Sequence, residues 1–308
     1  MRVAILGATS QIAKDLITSF KEKDDHELVL YARNIKVLKE VNSYTEPDTK
    51  IYIHDLKEFN QGTCFDVIIN FIGVGDPAKV KDIGISILET TDRYDEMVIS
   101  YLHKNTTCKY LFLSSGAVFG SDFTNPVNKD TQSSLDLKNL ASSDWYGAAK
   151  YISELKHRDL TELSIVDIRV FNYISHTMNV NDQFFITQMM RSILLKDVFL
   201  TSPDNIVRDY IGPTDFHKLI SLVLKSDPLN KAIDCYTKEP ISKFPLLDRM
   251  QEKEGLIYKI QKNENLLDST GFKLNYYSLN KTAEEFGYRP TKTSLETVEY
   301  EISKISKS

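Results

Sequence analysis

The sequence predicts an α/β protein built on a doubly wound parallel sheet, with a smaller C-terminal lobe interleaved with it. Residues 1–170 alternate short apolar runs with amphipathic stretches of helical length. This alternation is typical of parallel strands joined by helical crossovers. The apolar runs are continuous, as in Val67–Ile69, and continuous runs favour strands that helices cover on both faces.

The elements follow in order from this alternation. Six strands are predicted, at Val3–Leu6, Glu27–Tyr31, Ile51–His54, Val67–Phe71, Tyr110–Ser114 and Ser164–Val170. Four helices are predicted between them, near Ile12–Phe20, Ile35–Asn42, Arg93–His103 and Tyr146–Leu163. The apolar run that opens the chain is too short for a signal peptide and leads straight into a glycine, so we interpret it as the first strand.

The pattern becomes irregular after Val170. We therefore expect one domain over residues 1–171, and over residues 172–308 a mainly substrate-binding lobe that returns some segments to that domain. Further helices are expected at Phe184–Leu195 and Lys218–Lys225. Prolines, Pro213 and Pro245 among them, are expected to mark turns.

Composition narrows the class of protein. The 308 residues carry a formal net charge of -5, which argues against a diffuse basic surface for nucleic acid. No apolar run approaches the ~18 residues that span a bilayer. Three widely spaced cysteines, Cys64, Cys108 and Cys235, match neither a disulfide framework nor a zinc site. We expect a cytoplasmic protein without a metal and without nucleic-acid or membrane partners.

The first strand leads into a candidate phosphate-binding turn. Gly7 begins the turn, and Thr9, Ser10, Gln11 and Ile12 carry it into the first helix. A helix N-terminus that follows a glycine turn presents N–H groups to a pyrophosphate. Ser10 stands where a second glycine is usual and offers a hydroxyl to phosphate. The alternative is an ordinary strand–turn–helix corner.

The ends of the next two strands bear on the choice of cofactor. An NAD-binding protein usually ends its second strand with an acidic residue that binds the ribose. Here that position carries Arg33, which suits a 2′-phosphate and favours NADP(H), with NAD(H) still possible. Asp55 and Leu56 close the third strand and are candidates for adenine contacts. Arg33 as a solvated residue and Asp55 as a helix cap are the alternatives.

A candidate catalytic set lies later in the domain. A tyrosine transfers a proton more readily when a lysine four residues later on the same helix face lowers its pKa. Tyr-x-x-x-Lys occurs five times in this chain, so the pattern alone is weak evidence. Context selects Tyr146 and Lys150, because they open a helix that follows a buried strand ending in Ser115. Hydroxyls at a strand's carboxyl end meet ligands in sheets of this kind.

At this point the sequence resembles the extended short-chain dehydrogenase/reductase family, the group of NAD(P)-dependent nucleotide-sugar epimerases, dehydratases and reductases. The resemblance rests on Gly-Ala-Thr-x-x-Ile from Gly7, Ser-Ser-x-x-Val-Phe-Gly from Ser114 and Tyr-x-x-x-Lys from Tyr146, and on the segments Ile168–Asn172, Arg208–Ile211 and Asn280–Pro290. It covers nearly the whole chain. It implies a Rossmann-like NAD(P)-binding domain and a Ser115–Tyr146–Lys150 catalytic set.

The resemblance also implies roles for other positions. Phe71, Ile72 and Gly73 would line the side of the nicotinamide ribose, while Asn172 and Arg208 would hold a nucleotide-diphosphate sugar. For Asn172 a turn cap, and for Arg208 an ion pair with a surface acid, are the alternatives.

These features lead to a main functional hypothesis and two rivals. The main hypothesis is an NADP(H)-dependent reductase of a keto group on a nucleotide-diphosphate sugar. One rival is an NAD-dependent nucleotide-sugar epimerase, and the other is a non-catalytic NADP-binding sensor or RNA-binding protein. The 4,6-dehydratase reaction is not expected, because Gly116 and Ala117 stand where family dehydratases carry Asp and Glu.

A homodimer is a further expectation. Members of the family often dimerise through a four-helix bundle, which the helices after Asp92 and from Tyr146 would supply. An apolar stripe on the first of these helices, formed by Tyr94, Met97, Val98 and Tyr101, would face the partner. The alternative is that the stripe packs on the sheet.

Overall fold

A parallel seven-stranded sheet forms the centre of the molecule, as the sequence predicts. The computed structural model describes residues 1–40, 50–59, 62–73, 80, 82–135, 144–261 and 273–305. The strands are β1 (Arg2–Leu6), β2 (Glu27–Ala32), β3 (Ile51–Asp55), β4 (Val67–Asn70), β5 (Lys109–Ser115), β6 (Ile165–Val170) and β11 (Lys231–Asp234). They lie in the order β11-β6-β5-β4-β1-β2-β3, so the strand order reverses beside β1.

Two layers of helices cover this sheet. Within the part of the chain that the structure describes, the helices are α1 (Gln11–Lys23), α2 (Ile35–Lys39), α3 (Ser86–Leu102), α4 (Asp144–Asp159), α5 (Phe185–Leu195), α6 (Pro213–Lys225), α7 (Lys243–Glu254) and α8 (Ser294–Ile305). Apolar residues of α1 and α6 pack on one face of the sheet, and those of α3 pack on the other. None of these helices is long and apolar enough to cross a membrane.

Short strands organise the C-terminal part of the chain. They are β7 (Asn172–Tyr173), β8 (Val198–Thr201), β9 (Val207–Arg208), β10 (Tyr210–Ile211), β12 (Ile241–Ser242), β13 (Ile257–Ile260) and β14 (Asn275–Tyr276). β9 lies between β12 and β14, while β7 pairs with β10 and β8 pairs with β13. A separate apolar core is formed here by α5, α7 and α8.

Several predicted boundaries were wrong for identifiable reasons. Helix α3 begins at Ser86 rather than near Arg93, and α4 ends at Asp159 rather than Leu163. Pro213 and Pro245 lie in the first turns of α6 and α7 rather than in turns between elements. A first-turn proline is tolerated because its missing N–H would have no intrahelical partner. The predicted end of α2 lies outside the described residues.

The apolar stripe on α3 packs inward. Val98 and Tyr101 are buried in the core beneath the sheet, and Tyr94 and Met97 pack against the same cluster. The stripe therefore packs on the sheet, which was the alternative interpretation, and it gives no support to a dimer.

Candidate functional site

The turn after β1 requires glycine at position 7, because any other residue there would be strained. Gly7 has a φ of +72°, in the left-handed region, and a Cβ there would lie 2.9 Å from the Ile72 nitrogen. The N–H groups of Gly7 and Ala8 donate to the Tyr31 carbonyl at 3.0 and 3.2 Å. The turn is thus held against β2 and β4, and it points the start of α1 along the sheet edge.

Ser10, the residue just before α1, caps the first turn of that helix. The Ser10 hydroxyl accepts from the Ala13 N–H at 3.4 Å, so it acts as the N-cap of the helix. N–H groups in a helix's first turn, here those of Gln11 and Ile12, have no intrahelical partners and are suited to an anion. The geometry of a phosphate site is present, although a serine and an alanine replace two of the usual glycines.

The Gln11 side chain contacts a segment that follows β7. Its amide donates to the Thr177 hydroxyl and, at 3.2 Å, to Asp15. Asp15 also accepts from the hydroxyls of Thr177 at 2.6 Å and Tyr173 at 2.9 Å. Since β5 and β4 lie between β6 and β1, this segment crosses the carboxyl edge of the sheet before it reaches α1.

The ends of β2 and β3 place the remaining candidate cofactor contacts. Arg33 is exposed directly after β2, and the Asn34 side chain caps α2. Asp55 accepts from the Lys57 N–H at 2.9 Å and caps a short 3-10 turn, which is the structural alternative that the sequence left open. Leu56 is buried in the core beside the sheet.

Ser115 and Tyr146 meet at the carboxyl end of β5, and Lys150 lies one helical turn after Tyr146. Ser115 ends that strand, and Tyr146 and Lys150 lie on the first turns of α4. The helix packs closely on the turn after β5, since a Cβ on Gly147 would lie 2.4 Å from the Ala117 carbonyl oxygen. Burial raises the pKa of Tyr146, while a hydrogen bond with Ser115 lowers it.

Lys150 is buried next to the turn that follows β4. It is 3% exposed, its Nζ lies 4.2 Å from the centre of the Phe112 ring, and a Cβ on Gly73 would lie 3.4 Å from that nitrogen. Burial lowers the pKa of Lys150 to about 8, although the nearby carboxylates of Asp95, Asp167 and Glu154 raise it. Lys150 of the predicted catalytic set and Gly73 of the predicted cofactor residues therefore lie side by side.

A buried ion pair lies beneath the turn that follows β5. The Arg169 guanidinium donates to Glu154, with its Nε 3.0 Å from Oε1, and Glu154 also accepts from the Ser114 hydroxyl at 2.5 Å. Arg169 further contacts Asp234, which accepts from the Ser278 hydroxyl at 2.6 Å. The pair thus links α4 to the ends of β5, β6 and β11.

His157 lies deeper on the same helix, between two carboxylates. Its ring nitrogens are 2.6 Å from Asp167 and 2.9 Å from Asp95. Burial opposes a charge on this imidazole, yet the two carboxylates raise its pKa to about 9. Tyr110 donates to Asp95 at 3.0 Å and accepts from Asn70 at 2.9 Å. A continuous polar chain therefore runs from α4 to the end of β4.

The two predicted substrate residues face the same strand, β14. The Asn172 amide donates to the Tyr276 carbonyl at 3.1 Å and to the Asp209 carbonyl at 3.3 Å. Arg208 is 4% exposed and donates to the Lys273 carbonyl at 2.7 Å and the Val207 carbonyl at 2.9 Å. The surface ion pair considered for Arg208 does not fit this burial.

The sequence analysis missed Tyr276. Its hydroxyl lies 3.3 Å from the Ser115 hydroxyl, and its ring lies 5.8 Å from the Arg208 guanidinium. It therefore connects the predicted catalytic and substrate residues. No local pattern marks it, since it stands 161 positions after Ser115. The polar face of α4 was detectable, because Lys150, Glu154 and His157 recur at helical spacing.

The chain belongs to the NAD-dependent epimerase/dehydratase family, whose model matches residues 3–234. The resemblance to extended short-chain dehydrogenases/reductases is thereby confirmed. No curated protein matches the sequence.

Solved structures of nucleotide-sugar enzymes share the fold. UDP-glucose-4-epimerase from Stenotrophomonas maltophila, with bound NAD and formylated UDP-arabinopyranose, is 15% identical with a TM-score of 0.82 over 100% of this chain and 98% of that one. UDP-N-acetylglucosamine 4-epimerase from Methanobrevibacter ruminantium, in complex with UDP-N-acetylmuramic acid, is 16% identical with a TM-score of 0.80 over 100% and 99%. dTDP-glucose 4,6-dehydratase from Bacillus anthracis, in complex with NAD, is 15% identical with a TM-score of 0.77 over 100% and 97%.

Proposed function

We propose that the protein is an epimerase of nucleotide-diphosphate sugars, which oxidises a sugar hydroxyl and reduces the resulting ketone within one active site. The observation that carries the proposal is the position of Ser115, Tyr146 and Lys150. They lie near Gly73, at the same edge of the sheet as the Gly7 turn. Family membership supports it, as do the NAD and UDP-sugars bound by proteins of the same fold.

The residues present fit a dinucleotide. Gly7 lets the turn after β1 pack against the Ile72 backbone, and the first turn of α1 offers N–H groups to a pyrophosphate. In the proposal, residues at four strand ends line the path: Thr9, Ser10, Gln11 and Ile12 after β1, Arg33 after β2, Asp55 and Leu56 at the end of β3, and Phe71, Ile72 and Gly73 after β4. The nicotinamide, when bound, accepts and returns a hydride.

Each catalytic side chain has a defined task in the proposal. Tyr146 takes the proton of the sugar hydroxyl as general base and returns it as general acid. Ser115 holds the same oxygen by a hydrogen bond. The Lys150 ammonium stabilises the phenolate of Tyr146 and binds the nicotinamide ribose. Asn172 and Arg208 hold the nucleotide-diphosphate sugar, with the Arg208 charge directed at the diphosphate.

The structure gives a reason to set the dehydratase reaction aside. Gly116 stands at one of the two positions where family dehydratases carry an acid, and a Cβ there would lie 2.3 Å from the Phe171 ring. Any side chain at position 116 would have to displace that buried ring. This supports an epimerase or a reductase over a dehydratase.

One observation favours a second candidate, an NADPH-dependent reductase of keto-sugar nucleotides. β2 ends in the exposed Arg33 instead of an acid, and Lys36 and Lys57 are exposed close to the same strand ends. Such cations suit the 2′-phosphate of NADPH. An epimerase regenerates its cofactor in each turnover, so it gains nothing from this selectivity.

A cofactor experiment separates the two candidates. The purified protein is denatured and assayed for released dinucleotide, and stripped protein is titrated with NADH and NADPH by fluorescence. Retained NAD, together with interconversion of UDP-glucose or UDP-N-acetylglucosamine with their epimers followed by NMR, supports the epimerase. A strong NADPH preference without epimerisation supports the reductase, and binding of neither dinucleotide overturns both.

We also propose that residues 172–308 mainly form the substrate-binding part, with β11 and α6 returned to the dinucleotide-binding part. A homodimer through the outer surfaces of α3 and α4 completes the proposal. Ile85, Ile152 and Leu155 are exposed there, and apolar side chains of this size favour burial. Light scattering at micromolar concentration tests the dimer, and a monomeric mass excludes it.

A further inference from the structure

The Ser115 hydroxyl lies between two tyrosine hydroxyls. Tyr146 hydrogen-bonds to it from α4, and Tyr276 lies 3.3 Å from it on β14. The backbone N–H of Ala117 donates to Ser115 Oγ at 3.2 Å and also contacts the Tyr276 hydroxyl. Three hydroxyls and one N–H thus meet at the end of β5.

Counting donors and acceptors shows which hydroxyl of this cluster donates and which accepts. A serine hydroxyl has one proton to donate and two lone pairs that accept. The Ala117 N–H occupies one lone pair of Ser115, which leaves one acceptor and one donor for two tyrosines. The tyrosines must therefore play opposite roles. In the proposed reaction the Tyr146 phenolate can only accept, so the single Ser115 proton goes to Tyr146 and the Tyr276 proton is directed at Ser115.

We propose that Tyr276 is a positioning residue for the proposed reaction: its hydroxyl donates to Ser115 and thereby turns the Ser115 proton toward Tyr146 and the reacting sugar oxygen. This inference rests on the proposed function. With Tyr276 in place, Ser115 serves as a donor throughout the cycle. Without it, the serine proton is free to rotate away, and the Tyr146 phenolate loses one hydrogen bond.

The surroundings of Tyr276 suit this task. Tyr276 is 5% exposed and its ring packs edge-on against Phe123, with 4.7 Å between centroids. Burial raises its pKa, so the hydroxyl keeps its proton while Tyr146 changes state. Asn172 binds the Tyr276 carbonyl, and Arg208 is its register partner on β9. The proposed substrate residues therefore hold the positioning residue in place.

The proton balance of the reaction is unchanged by this arrangement. During oxidation the C–H bond of the sugar breaks and its hydride leaves to the nicotinamide, while the hydroxyl proton passes to the Tyr146 phenolate. During reduction both transfers reverse. Ser115 and Tyr276 keep their own protons in each step, because they orient and do not exchange.

The test follows the protonation of Tyr146 directly. Protein labelled with 13C at tyrosine Cζ is titrated by NMR with NAD+ bound, and the Tyr146 and Tyr276 resonances are assigned by their loss in the Tyr146→Phe and Tyr276→Phe variants. Tyr276→Phe is expected to raise the apparent pKa of Tyr146. Tyr277→Phe, a neighbouring change whose hydroxyl is not in the Ser115 cluster, is expected to leave it unchanged.

Two further measurements make the result decisive. In a Ser115→Ala background, Tyr276→Phe should have no additional effect on the Tyr146 pKa; the same shift with and without the serine overturns the proposal. If Tyr276→Phe does not fold, Ser115→Ala alone should raise the apparent pKa of Tyr146, whose resonance is assigned by its loss in Tyr146→Phe. An unchanged Tyr146 pKa in Ser115→Ala overturns the proposal as well.

Turnover provides the functional readout. With a nucleotide sugar that the wild type converts, Tyr276→Phe should lower kcat about five- to tenfold while KM changes less than about twofold, as expected for the loss of one hydrogen bond. A loss confined to KM contradicts the positioning role. If no nucleotide sugar is converted by the wild type, the proposed function fails, while the NMR titration still shows whether Tyr276 acts on Tyr146 through Ser115.

Discussion

The two faces of the central sheet are built from different chemistry. The face under α1 and α6 is a mostly apolar core in which residues such as Leu16, Ile168 and Phe216 are fully buried. The face under α3 and α4 also buries apolar rings, but it encloses charged groups, with Asp167 and His157 completely inaccessible. Alternation along β6 separates the two, since Ile168 points to one face and Asp167 to the other.

This difference indicates where the molecule tolerates an energetic penalty. Burying an ion pair removes two charges from water and often adds no stability over an apolar core. The charges lie around Lys150, whose pKa they influence, and beneath the turn that carries Ser115. We interpret the apolar face as the source of stability and the charged face as the support of catalysis. The predictions below test that division, from the largest expected effect to the smallest.

Replacing Tyr146 by phenylalanine tests the charged face most directly. We expect turnover to fall by about 10²–10⁴-fold, because the proposed general acid–base group is removed. Binding of NADH, measured by fluorescence, should be unchanged. Tyr94→Phe on α3 is the matched control and should keep full activity. A Tyr146→Phe enzyme with wild-type activity would contradict the assigned mechanism.

The pH dependence of stability should differ between the faces. The folded-state pKa of His157 is about 9, above its ordinary value of 6.5, so its contribution is complete below pH 6.5 and decreases as the pH rises toward 9. We expect it to fall by about 2 kcal/mol between pH 6.5 and pH 8, measured by urea unfolding. Above pH 8, Lys150, whose pKa burial lowers to about 8, contributes with the opposite sign.

Two variants isolate that contribution. His157→Gln should remove the decrease between pH 6.5 and pH 8 relative to the wild type. Leu16→Ala, on the apolar face, should lower the free energy of unfolding by about 3–5 kcal/mol at every pH and keep the decrease. If the two variants show the same pH profile, the proposed division between the faces is wrong.

Arg33 tests the cofactor end of the sheet edge. If it binds a 2′-phosphate, Arg33→Ala should weaken NADPH binding by about tenfold and change NADH binding less than twofold. Lys39→Ala on α2 also removes one exposed positive charge, and it controls for the effect of overall charge on dinucleotide binding. Equal weakening of both dinucleotides would remove the support for NADP selectivity and leave the epimerase as the better candidate.

The smallest effect is expected where the segment after β7 meets α1. Thr177→Val removes the hydroxyl that joins the segment after β7 to Gln11 and Asp15 on α1. We expect NADH to dissociate about threefold to fivefold faster in stopped-flow measurements. The variant loses the hydrogen bonding that holds this segment on α1, beside the proposed dinucleotide path, and the effect expected is that of about one hydrogen bond. Thr18→Val, on the exposed side of α1, is the control. Unchanged dissociation would show that this contact does not retain the cofactor.

Local pattern was enough to predict much of the scaffold. The six predicted strands of residues 1–170 are all present, because continuous apolar runs between helical segments leave few alternatives. Strand β11 and helices α7 and α8 were not predicted. β11 is short and α7 has no clear period, whereas α8 carries apolar residues at helical spacing, at Leu295, Val298 and Ile302, that the sequence analysis overlooked. Helix ends shifted where capping and tertiary packing, rather than periodicity, set the boundary.

The candidate site was likewise predictable only where local sequence pattern determined it. The spacing of Tyr146 and Lys150, and the hydroxyl at the end of an apolar run, identified a set that the fold brings together. Asp55 and Ser10 were ambiguous in the sequence, since one residue type serves both a ligand and a helix cap, and their caps became visible only with backbone geometry. Residues contributed from far along the chain gave no signal.

Residue type and spacing thus determined the sheet, the glycine turn and the order of the Ser115, Tyr146 and Lys150 set, because these depend on neighbours within one or two elements. Tertiary structure alone decided that Tyr276 meets Ser115 across 161 positions and that Thr177 meets Asp15 across 162. Such contacts depend on strand order and on the path of the chain over the sheet edge. Both are properties of the whole fold, and no local sequence pattern encodes them.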